Sequence, residues 1–275
     1  PERGLMNLMF FYSATGCYLL AAAGYVAFII RPERAKIASF SLGAAVAGFL
    51  LQGLYFALRW VESGRIPITG FFEAINFLGM GIMLVYLLME FRFKVPSLGS
   101  FMLPLVLLLM APAVLLPSHI EELKPVLKSG WLGIHTSLAV LGDAAFAFSF
   151  IVSVMYLVQE RQLKQKHLGA IFRRLPPLDV MDTLGYKALS FGWPLYTLGM
   201  VTGSIWAESA WGSYWSWDIK ETWSLIVWII YLAFLHLRTI GWRGKKMAYL
   251  SVAGFLFVLI SFFVVSRVGV GKHSF

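Results

Sequence analysis

Eight long apolar segments constrain this chain more than any other feature of its sequence. A helix needs roughly 20 apolar residues to cross about 30 Å of hydrocarbon. With 59% of its 275 residues hydrophobic and only 13% charged, the chain carries more apolar surface than one soluble core could bury. The sequence therefore predicts an all-α fold, a polytopic helical bundle in a lipid bilayer with about eight transmembrane helices and one domain over residues 1–275. The predicted spans lie at approximately 6–30, 37–58, 70–90, 97–117, 131–158, 187–207, 222–240 and 248–267.

The basic residues predict how these spans are oriented. If the N-terminus lies outside, the inner loops hold about twice as many Lys and Arg residues as the outer ones, as the positive-inside rule requires. Both termini are therefore predicted on the periplasmic or outer side of a bacterial cytoplasmic or thylakoid-type membrane. The net charge of +9 is read as this orientation signal, and no nucleic-acid partner is expected. The first apolar stretch is long enough to span and no clear cleavage site follows it, so no cleaved signal peptide is expected.

The stretch WGSYWSWDIKETW, residues 211–223, contains four tryptophans and one tyrosine. With Trp206, half of the ten tryptophans of the chain lie between residues 206 and 223. A membrane-interface belt explains any one of these rings, but such a belt needs only a ring or two at each helix end. Asp218 and Glu221, three residues apart, fit a capping box at the start of the seventh span.

The five histidines differ in their predicted depth. His135 lies near the outer end of the fifth span, and His273 follows the last span on the same side. His236 comes thirteen residues after Trp223, which places it about 20 Å further along the seventh span, towards the cytoplasm. His119 and His167 fall in loops and are read as solvated side chains. The only cysteine, Cys17, excludes an internal disulfide and a CxxC motif within this sequence.

Two outer histidines beside a group of indole rings suit a large, flat, aromatic ligand with a metal at its centre, and haem is such a ligand. Haem iron takes imidazole on its axial sides, and the macrocycle needs apolar walls. Its propionates need cationic or hydrogen-bonding partners. The candidates for that role on the predicted outer side are Lys220, Arg59 and Arg65.

Two carboxyl groups, Glu73 and Asp143, lie in the predicted spans. Glu73 opens the third span, where a negative charge at a helix N-terminus suffices. Asp143 lies eight residues after His135 in the same span. It either supports a ligand or lines a polar path, or it is a protonated helix contact, and both interpretations stay open.

Beyond these patterns, the run GSIWAESAWGSYWSWDIKETW resembles the tryptophan-rich WWD signature of haem-handling proteins in cytochrome c biogenesis. WLGIHTS before it and GKHSF after it are similar to the flanking histidine segments of the CcsA/ResC branch, the system II pathway. The resemblance covers most of residues 131–275 and, more loosely, the earlier spans, including ITGFFEAINF. Ile219 stands where the family usually has Pro, which is dispensable at the first helical position.

The resemblance implies specific roles. His135 and His273 would be the two outer axial ligands of the iron of haem b, and His236 would ligate haem within the membrane together with a histidine of a CcsB/ResB-like partner. The tryptophan-rich segment would hold the porphyrin. The residues implied for this segment are Trp211, Trp215, Trp217, Asp218, Lys220 and Trp223.

The function implied by the resemblance is cytochrome c biogenesis. Haem would be carried across the membrane and presented on the outer face for thioether attachment to the CxxCH motif of apocytochrome c. Holocytochrome c synthase activity is expected only in complex with the CcsB/ResB-like partner, and catalysis would be positioning rather than acid–base chemistry.

Two other classes of function remain as alternatives. One is a membrane electron-transfer protein with a permanent bis-histidine haem, such as a quinol-oxidising subunit; the presence of a single histidine well inside a span argues against it. The other is a secondary transporter, which commonly shows related halves and broken helices at mid-membrane. No internal repeat is evident in the sequence.

Overall fold

The computed structural model describes residues 2–30, 35–116, 129–166 and 169–264, and these are almost entirely helical. The predicted all-α fold is confirmed. A 3₁₀ turn, Pro96–Leu98, joins α3 to α4, and a π-helical segment, Ile260–Val264, continues α9. In chain order the α-helices are α1 (Glu2–Ile30), α2 (Ala35–Ser63), α3 (Phe71–Phe93), α4 (Gly99–Leu115), α5 (Gly130–Lys164), α6 (Ala170–Arg174), α7 (Leu178–Trp211), α8 (Ile219–Thr239) and α9 (Lys245–Leu259).

Within the described ranges, 7 helical segments are long and apolar enough to cross a membrane, against the eight spans expected from the sequence. The predicted span at 187–207 lies inside α7, which has 34 residues and is long enough. It is absent from the 7 because its composition is less apolar, being interrupted by glycine, serine and threonine. The 7 are Asn7–Ile30, Lys36–Ser63, Phe71–Phe93, Pro96–Leu115, Gly130–Lys164, Ile219–Thr239 and Lys245–Phe263.

The helices cluster into two compact units. Unit 1 comprises Pro1–Leu123 and Arg161–Pro176, and so contains α1 to α4 and α6. Unit 2 comprises Lys124–Glu160 and Pro177–Phe275, and so contains most of α5 and all of α7 to α9. The single domain over residues 1–275 stays a prediction.

Polar side chains inside unit 1 bond to one another across helices. The Tyr18 hydroxyl of α1 donates to Gln52 Oε1 of α2 at 2.6 Å, and Gln52 Nε2 donates to Asn76 Oδ1 of α3 at 2.6 Å. Elsewhere in the unit, the Tyr86 hydroxyl donates to that of Tyr25 at 2.8 Å. Because hydrocarbon offers no water to these groups, such pairing is what makes their burial tolerable.

Unit 2 is built on a close antiparallel contact between α5 and α7. Gly185, Gly192 and Gly199 recur every seven residues along α7 and lie against small residues of α5. A Cβ added at Gly192 would come within 2.6 Å of Ala145 Cβ, and one at Gly199 within 2.8 Å of the Ala139 backbone nitrogen. Small residues at such an interface let two helix backbones approach, as is common in membranes.

Helix α8 packs antiparallel to α7 through a pair of tryptophans. The rings of Trp193 and Trp228 lie 5.2 Å apart. Trp228 Nε1 donates to Thr197 Oγ1 at 2.8 Å, so this indole N–H is satisfied on the neighbouring helix.

Near the start of α7, Asp182 bonds to α8 and to the residue just before α9. Arg238 Nη1 and Nη2 lie 2.9 and 2.7 Å from its two carboxylate oxygens. The backbone N–H of Gly244, just before α9, donates to Asp182 Oδ1 at 2.9 Å. Because one carboxylate bonds to both segments, it fixes the α8–α9 connection on α7.

The α5–α7 contact leads to a stability prediction. In Gly142→Ala, the new methyl group would lie 3.0 Å from the backbone of Tyr196, so we expect a loss of about 1–3 kcal/mol. Gly53→Ala in α2 is the control, because a Cβ there meets nothing within 4 Å. Thermal unfolding in detergent should show a lower midpoint for Gly142→Ala and an unchanged or higher one for Gly53→Ala. Equal midpoints would contradict the close contact.

Candidate functional site

The tryptophan-rich stretch forms the connection between α7 and α8. Helix α7 ends at Trp211, and Gly212 follows with a left-handed φ of 73°, its N–H donating to the carbonyl of Glu208 at 2.8 Å. Glycine adopts this conformation without strain, which explains why the helix stops there. An irregular segment then leads to Ile219, the first residue of α8.

Asp218 and Glu221 form the predicted capping box. Asp218 Oδ1 accepts the backbone N–H of Glu221 at 2.8 Å, and Glu221 Oε2 accepts the backbone N–H of Asp218 at 3.3 Å. The prediction of a helix start at this point is confirmed. The part of Asp218 in binding haem stays a prediction.

The carboxylate of Glu221 also reaches out of its helix. Its Oε2 accepts the backbone N–H of Ser216 at 2.7 Å, and Ser216 Oγ lies 3.2 Å from both carboxylate oxygens. Between Ser216 and Asp218 lies Trp217, whose φ of 59° is left-handed. A left-handed backbone is uncommon for a bulky residue and marks a constrained position.

Two pairs of tryptophan rings in this region meet edge to face. Trp206 is buried and meets Trp211 edge to face, with ring centroids 5.2 Å apart. Trp215 meets Trp217 at 5.8 Å with an interplanar angle of 85°. Trp217 is 70% exposed, so its indole projects from the loop.

Trp223 stands apart from both ring pairs. It lies in the first turns of α8 and packs against Phe257 of α9 at 5.9 Å. The segment therefore offers apolar surface of several orientations rather than one flat wall.

His135 is placed in the first turns of α5 against the glycines of α7. Its Nδ1 lies 2.7 Å from the carbonyl oxygen of Gly199. A carbonyl only accepts, so Nδ1 carries the hydrogen and the basic nitrogen of the neutral ring is Nε2. A Cβ at Gly203 would come within 2.6 Å of the same ring, so the imidazole lies directly on the α7 backbone.

The other histidines are less closely defined. His236 is exposed in the last turn of α8, thirteen residues and about 20 Å from Trp223. His135 and His236 thus belong to opposite ends of unit 2. The predicted ligand His273 lies outside the described residues, as do His119 and His167.

Asp143 is half-buried in α5, about two turns beyond His135. Both interpretations of its role stay open. Lys220 is exposed in the first turn of α8.

The two arginines proposed as propionate partners both bond to Glu73 in unit 1. Arg59 Nη2 lies 2.9 Å from Glu73 Oε1, and Arg65 Nη1 lies 2.8 Å from Glu73 Oε2. The side chains of Arg59 and Glu73 are only 7% and 3% exposed. Glu73 is therefore the centre of a buried ionic cluster, a role beyond the helix-end charge expected from the sequence.

The residues that support the site were not predicted from the sequence. Gly199 and Gly203 hold His135, and the carboxylate of Glu221 holds the loop at Ser216. A signal for the first was present, because glycines at 185, 192 and 199 repeat every seven residues. No local pattern indicated that Glu221 would reach Ser216.

Comparison with known proteins identifies relatives over most of the chain. The profile of the family described as "Cytochrome C assembly protein" matches residues 68–273. The "Cytochrome c biogenesis protein CcsA" of Guillardia theta is 32% identical over 253 residues, covering 85% of this chain and 84% of that protein. The protein of the same name from Prochlorococcus marinus is 37% identical over 254 residues, covering 82% and 81% respectively.

Among solved structures, the fold is similar to that of "Cytochrome c Heme Lyase CcmF". The TM-score is 0.67 at 16% sequence identity, and the match covers 94% of this chain. It covers 46% of the CcmF chain, so this chain spans less than half the length of that protein. At this identity the likeness shows a shared fold.

The ionic cluster of unit 1 leads to a second prediction. Glu73→Gln would remove the carboxylate that pairs with the buried Arg59 and the half-buried Arg65, and we expect a loss of stability of about 3–5 kcal/mol. The control is Glu208→Gln, which removes the same charge from an exposed side chain. Thermal unfolding of both variants in detergent measures the difference. A Glu73→Gln protein as stable as Glu208→Gln would show that the ion pairs contribute nothing.

Proposed function

We propose that this chain, which belongs to the cytochrome c assembly protein family, carries haem across the membrane and presents it for covalent attachment to apocytochrome c. The chain is an integral membrane protein that acts in cytochrome c biogenesis. In this proposal the tryptophan-rich segment and both termini lie on the periplasmic or outer side of the membrane.

The hydrogen bond from His135 to the carbonyl of Gly199 is the observation that carries the proposal. Histidines that bind metals commonly donate their second ring N–H to a carbonyl or carboxylate, which sets the tautomer and the ring orientation. Here Nδ1 donates at 2.7 Å, so the neutral ring carries its basic lone pair on Nε2, the kind of nitrogen that binds an iron ion. The ring packs against the α7 backbone at Gly199 and Gly203, whereas a histidine that is simply solvated would make no such contact.

The second axial ligand in the proposal is His273, by its match to the family motif. The tryptophans supply the apolar and aromatic surface that a porphyrin needs. The indole N–H of Trp215 is buried and has no acceptor among the described residues, which makes it a donor for a polar group of the ligand. Lys220 is exposed in the adjacent turn and is the proposed cationic partner of a propionate.

The proposed role of the remaining tryptophan-segment residues follows from their positions. Trp211, Trp217 and Trp223 form part of the apolar surface that contacts the bound porphyrin. Asp218 acts through the backbone, because its carboxylate caps α8 and so fixes the positions of Lys220 and Trp223 in the first turns of that helix.

The inner site of the proposal uses His236. This residue is exposed on α8, so a histidine from a CcsB/ResB-like partner can meet it at the helix surface. The two sites are separated by roughly the length of α8 from Trp223 to His236, about 20 Å. Two haem sites at opposite ends of one helical unit suit a carrier better than a single resident cofactor.

The attachment reaction needs positioning rather than an acid or base from this chain. Each cysteine thiol of the CxxCH motif adds across one haem vinyl group, forming a C–S bond at one carbon while hydrogen is added to the other. The addition therefore requires no separate oxidant or leaving group. Holding the haem edge outward while His135 stays on the iron brings both vinyl groups within reach of the thiols. We propose that the synthase is the complex with the partner.

The proposal predicts the absorption spectrum of the protein co-purified with its partner. The wild type should show a six-coordinate haem, oxidised and reduced. His135→Gly should lose or weaken that spectrum, and added imidazole should restore it by filling the vacated ligand position. The matched control is Ile134→Gly, which places glycine in the same exposed helix turn without removing an imidazole.

The alternative results are equally clear. If His135→Gly binds haem as the wild type does, the iron is not ligated by His135 and the outer site is wrong. If the wild-type complex contains no haem at all, the haem-carrier proposal itself fails.

A further inference from the structure

We infer that Glu221 is a positioning residue for the tryptophan-rich loop, residues 212–218 between α7 and α8, and that its carboxylate determines how Trp215 and Trp217 are presented. The consequence for haem rests on the proposed function, whereas the consequence for the loop does not. Glu221 lies in the first turn of α8 and is buried, so its charge faces the protein rather than solvent.

The hydrogen bonds of Glu221 exceed what a capping box requires. In a capping box the Glu221 carboxylate needs to accept only one bond, from the backbone N–H of Asp218, and here that bond is the longer of its two bonds from backbone groups, at 3.3 Å. The shortest, 2.7 Å, comes from the backbone N–H of Ser216, which lies outside the helix. The hydroxyl of Ser216 adds contacts of 3.2 Å to both oxygens. Most of the hydrogen bonding of this carboxylate is therefore directed at the loop.

These bonds place an anion in a concave arrangement of backbone N–H groups. The N–H groups of Ser216 and Asp218 flank Trp217 and converge on the same oxygen, Glu221 Oε2. Backbone with alternating right- and left-handed residues forms such concavities, which bind anions. The left-handed φ of 59° at Trp217 is the conformation that turns both N–H groups to one side.

The hydrogen bonds to the Glu221 carboxylate stabilise the left-handed backbone conformation of Trp217. A left-handed conformation is unfavourable for a residue with a Cβ and persists only where surrounding bonds impose it. Glu221 supplies those bonds on both sides of Trp217. Removing them frees Trp217 to return to an ordinary backbone conformation.

The two rings would move with the backbone. Trp217 is 70% exposed and its ring touches that of Trp215 at 5.8 Å, so Trp217 is oriented by its backbone and by one edge contact. Rotating the backbone at residue 217 breaks this contact and changes the surface that both indoles present. Glu221 thus acts on a bound porphyrin through the tryptophans, without touching it.

The test compares Glu221→Ala, Glu221→Gln and Glu208→Ala in the complex with the partner. Glu221→Ala removes the anion from the loop. Glu221→Gln keeps an oxygen that accepts both N–H bonds and an amide that donates to Ser216 Oγ. Glu208 is exposed in the last turns of α7 and provides the control for loss of a carboxylate.

Two readouts are taken. The first is the near-ultraviolet circular dichroism and acrylamide quenching of the tryptophans in haem-free protein. The second is haem affinity by absorbance titration. We expect Glu221→Ala to change both, with affinity weakened on the order of tenfold, as for loss of other residues that orient ligands. Glu221→Gln should stay close to the wild type, and added formate should restore part of both signals to Glu221→Ala by occupying the vacated N–H groups.

The inference is overturned if Glu221→Ala keeps the wild-type tryptophan signals in haem-free protein. If Glu221→Ala fails to fold, as judged by far-ultraviolet circular dichroism, Glu221→Asp is used as the test variant in its place. Its shorter carboxylate should withdraw from Ser216 and shift the tryptophan signals, and unchanged signals would again overturn the inference. If the tryptophan signals respond to Glu221 but the wild type binds no haem, the loop role stands and the haem proposal fails.

Discussion

The absence of water inside a bilayer is the constraint on which this structure depends. Every backbone polar group in a span must be bonded within its own helix, which is why the described chain is helical almost throughout. The same constraint governs side chains. Gln52 is bonded to Tyr18 and Asn76, and Arg238 is bonded to both oxygens of Asp182. Such bonds join neighbouring helices at fixed levels, so they also specify which residues face one another.

The glycines of α7 connect this packing to the proposed chemistry. Helices α5 and α7 approach closely because side chains are missing at Gly192 and Gly199. That closeness brings the imidazole of His135 within 2.7 Å of a backbone carbonyl that a bulkier interface would hold at a distance. The hydrogen bond then selects the ring nitrogen that can bind a metal. A feature that reads as simple helix packing thereby determines the protonation pattern of the proposed ligand.

The tryptophan-rich loop shows a different division of labour. Its tryptophan rings supply apolar surface, but the rings do not by themselves fix how they are oriented on an irregular backbone. The orientation comes from charged and polar groups, with Asp218 capping α8 and Glu221 bonding to the loop. Trp217 adopts a left-handed backbone under these bonds and is left largely exposed. The hydrogen bonds that Asp218 and Glu221 make to the backbone therefore determine which tryptophan surface the loop exposes.

Hydropathy and local pattern were sufficient to predict the all-α membrane fold and the capping of α8 by Asp218, because lipid burial and helix capping depend on residues near in sequence. They also indicated His135 and the tryptophan segment as a candidate haem site, and that site stays a prediction. They did not predict that Glu73 bonds to two arginines or that Glu221 bonds to Ser216, since those contacts depend on how the backbone turns between helices.

The sequence by itself thus determined the class of fold and the residue types of the candidate site. Only the tertiary structure decided which nitrogen of His135 is basic, because the carbonyl that sets it belongs to Gly199, 64 residues away in the chain.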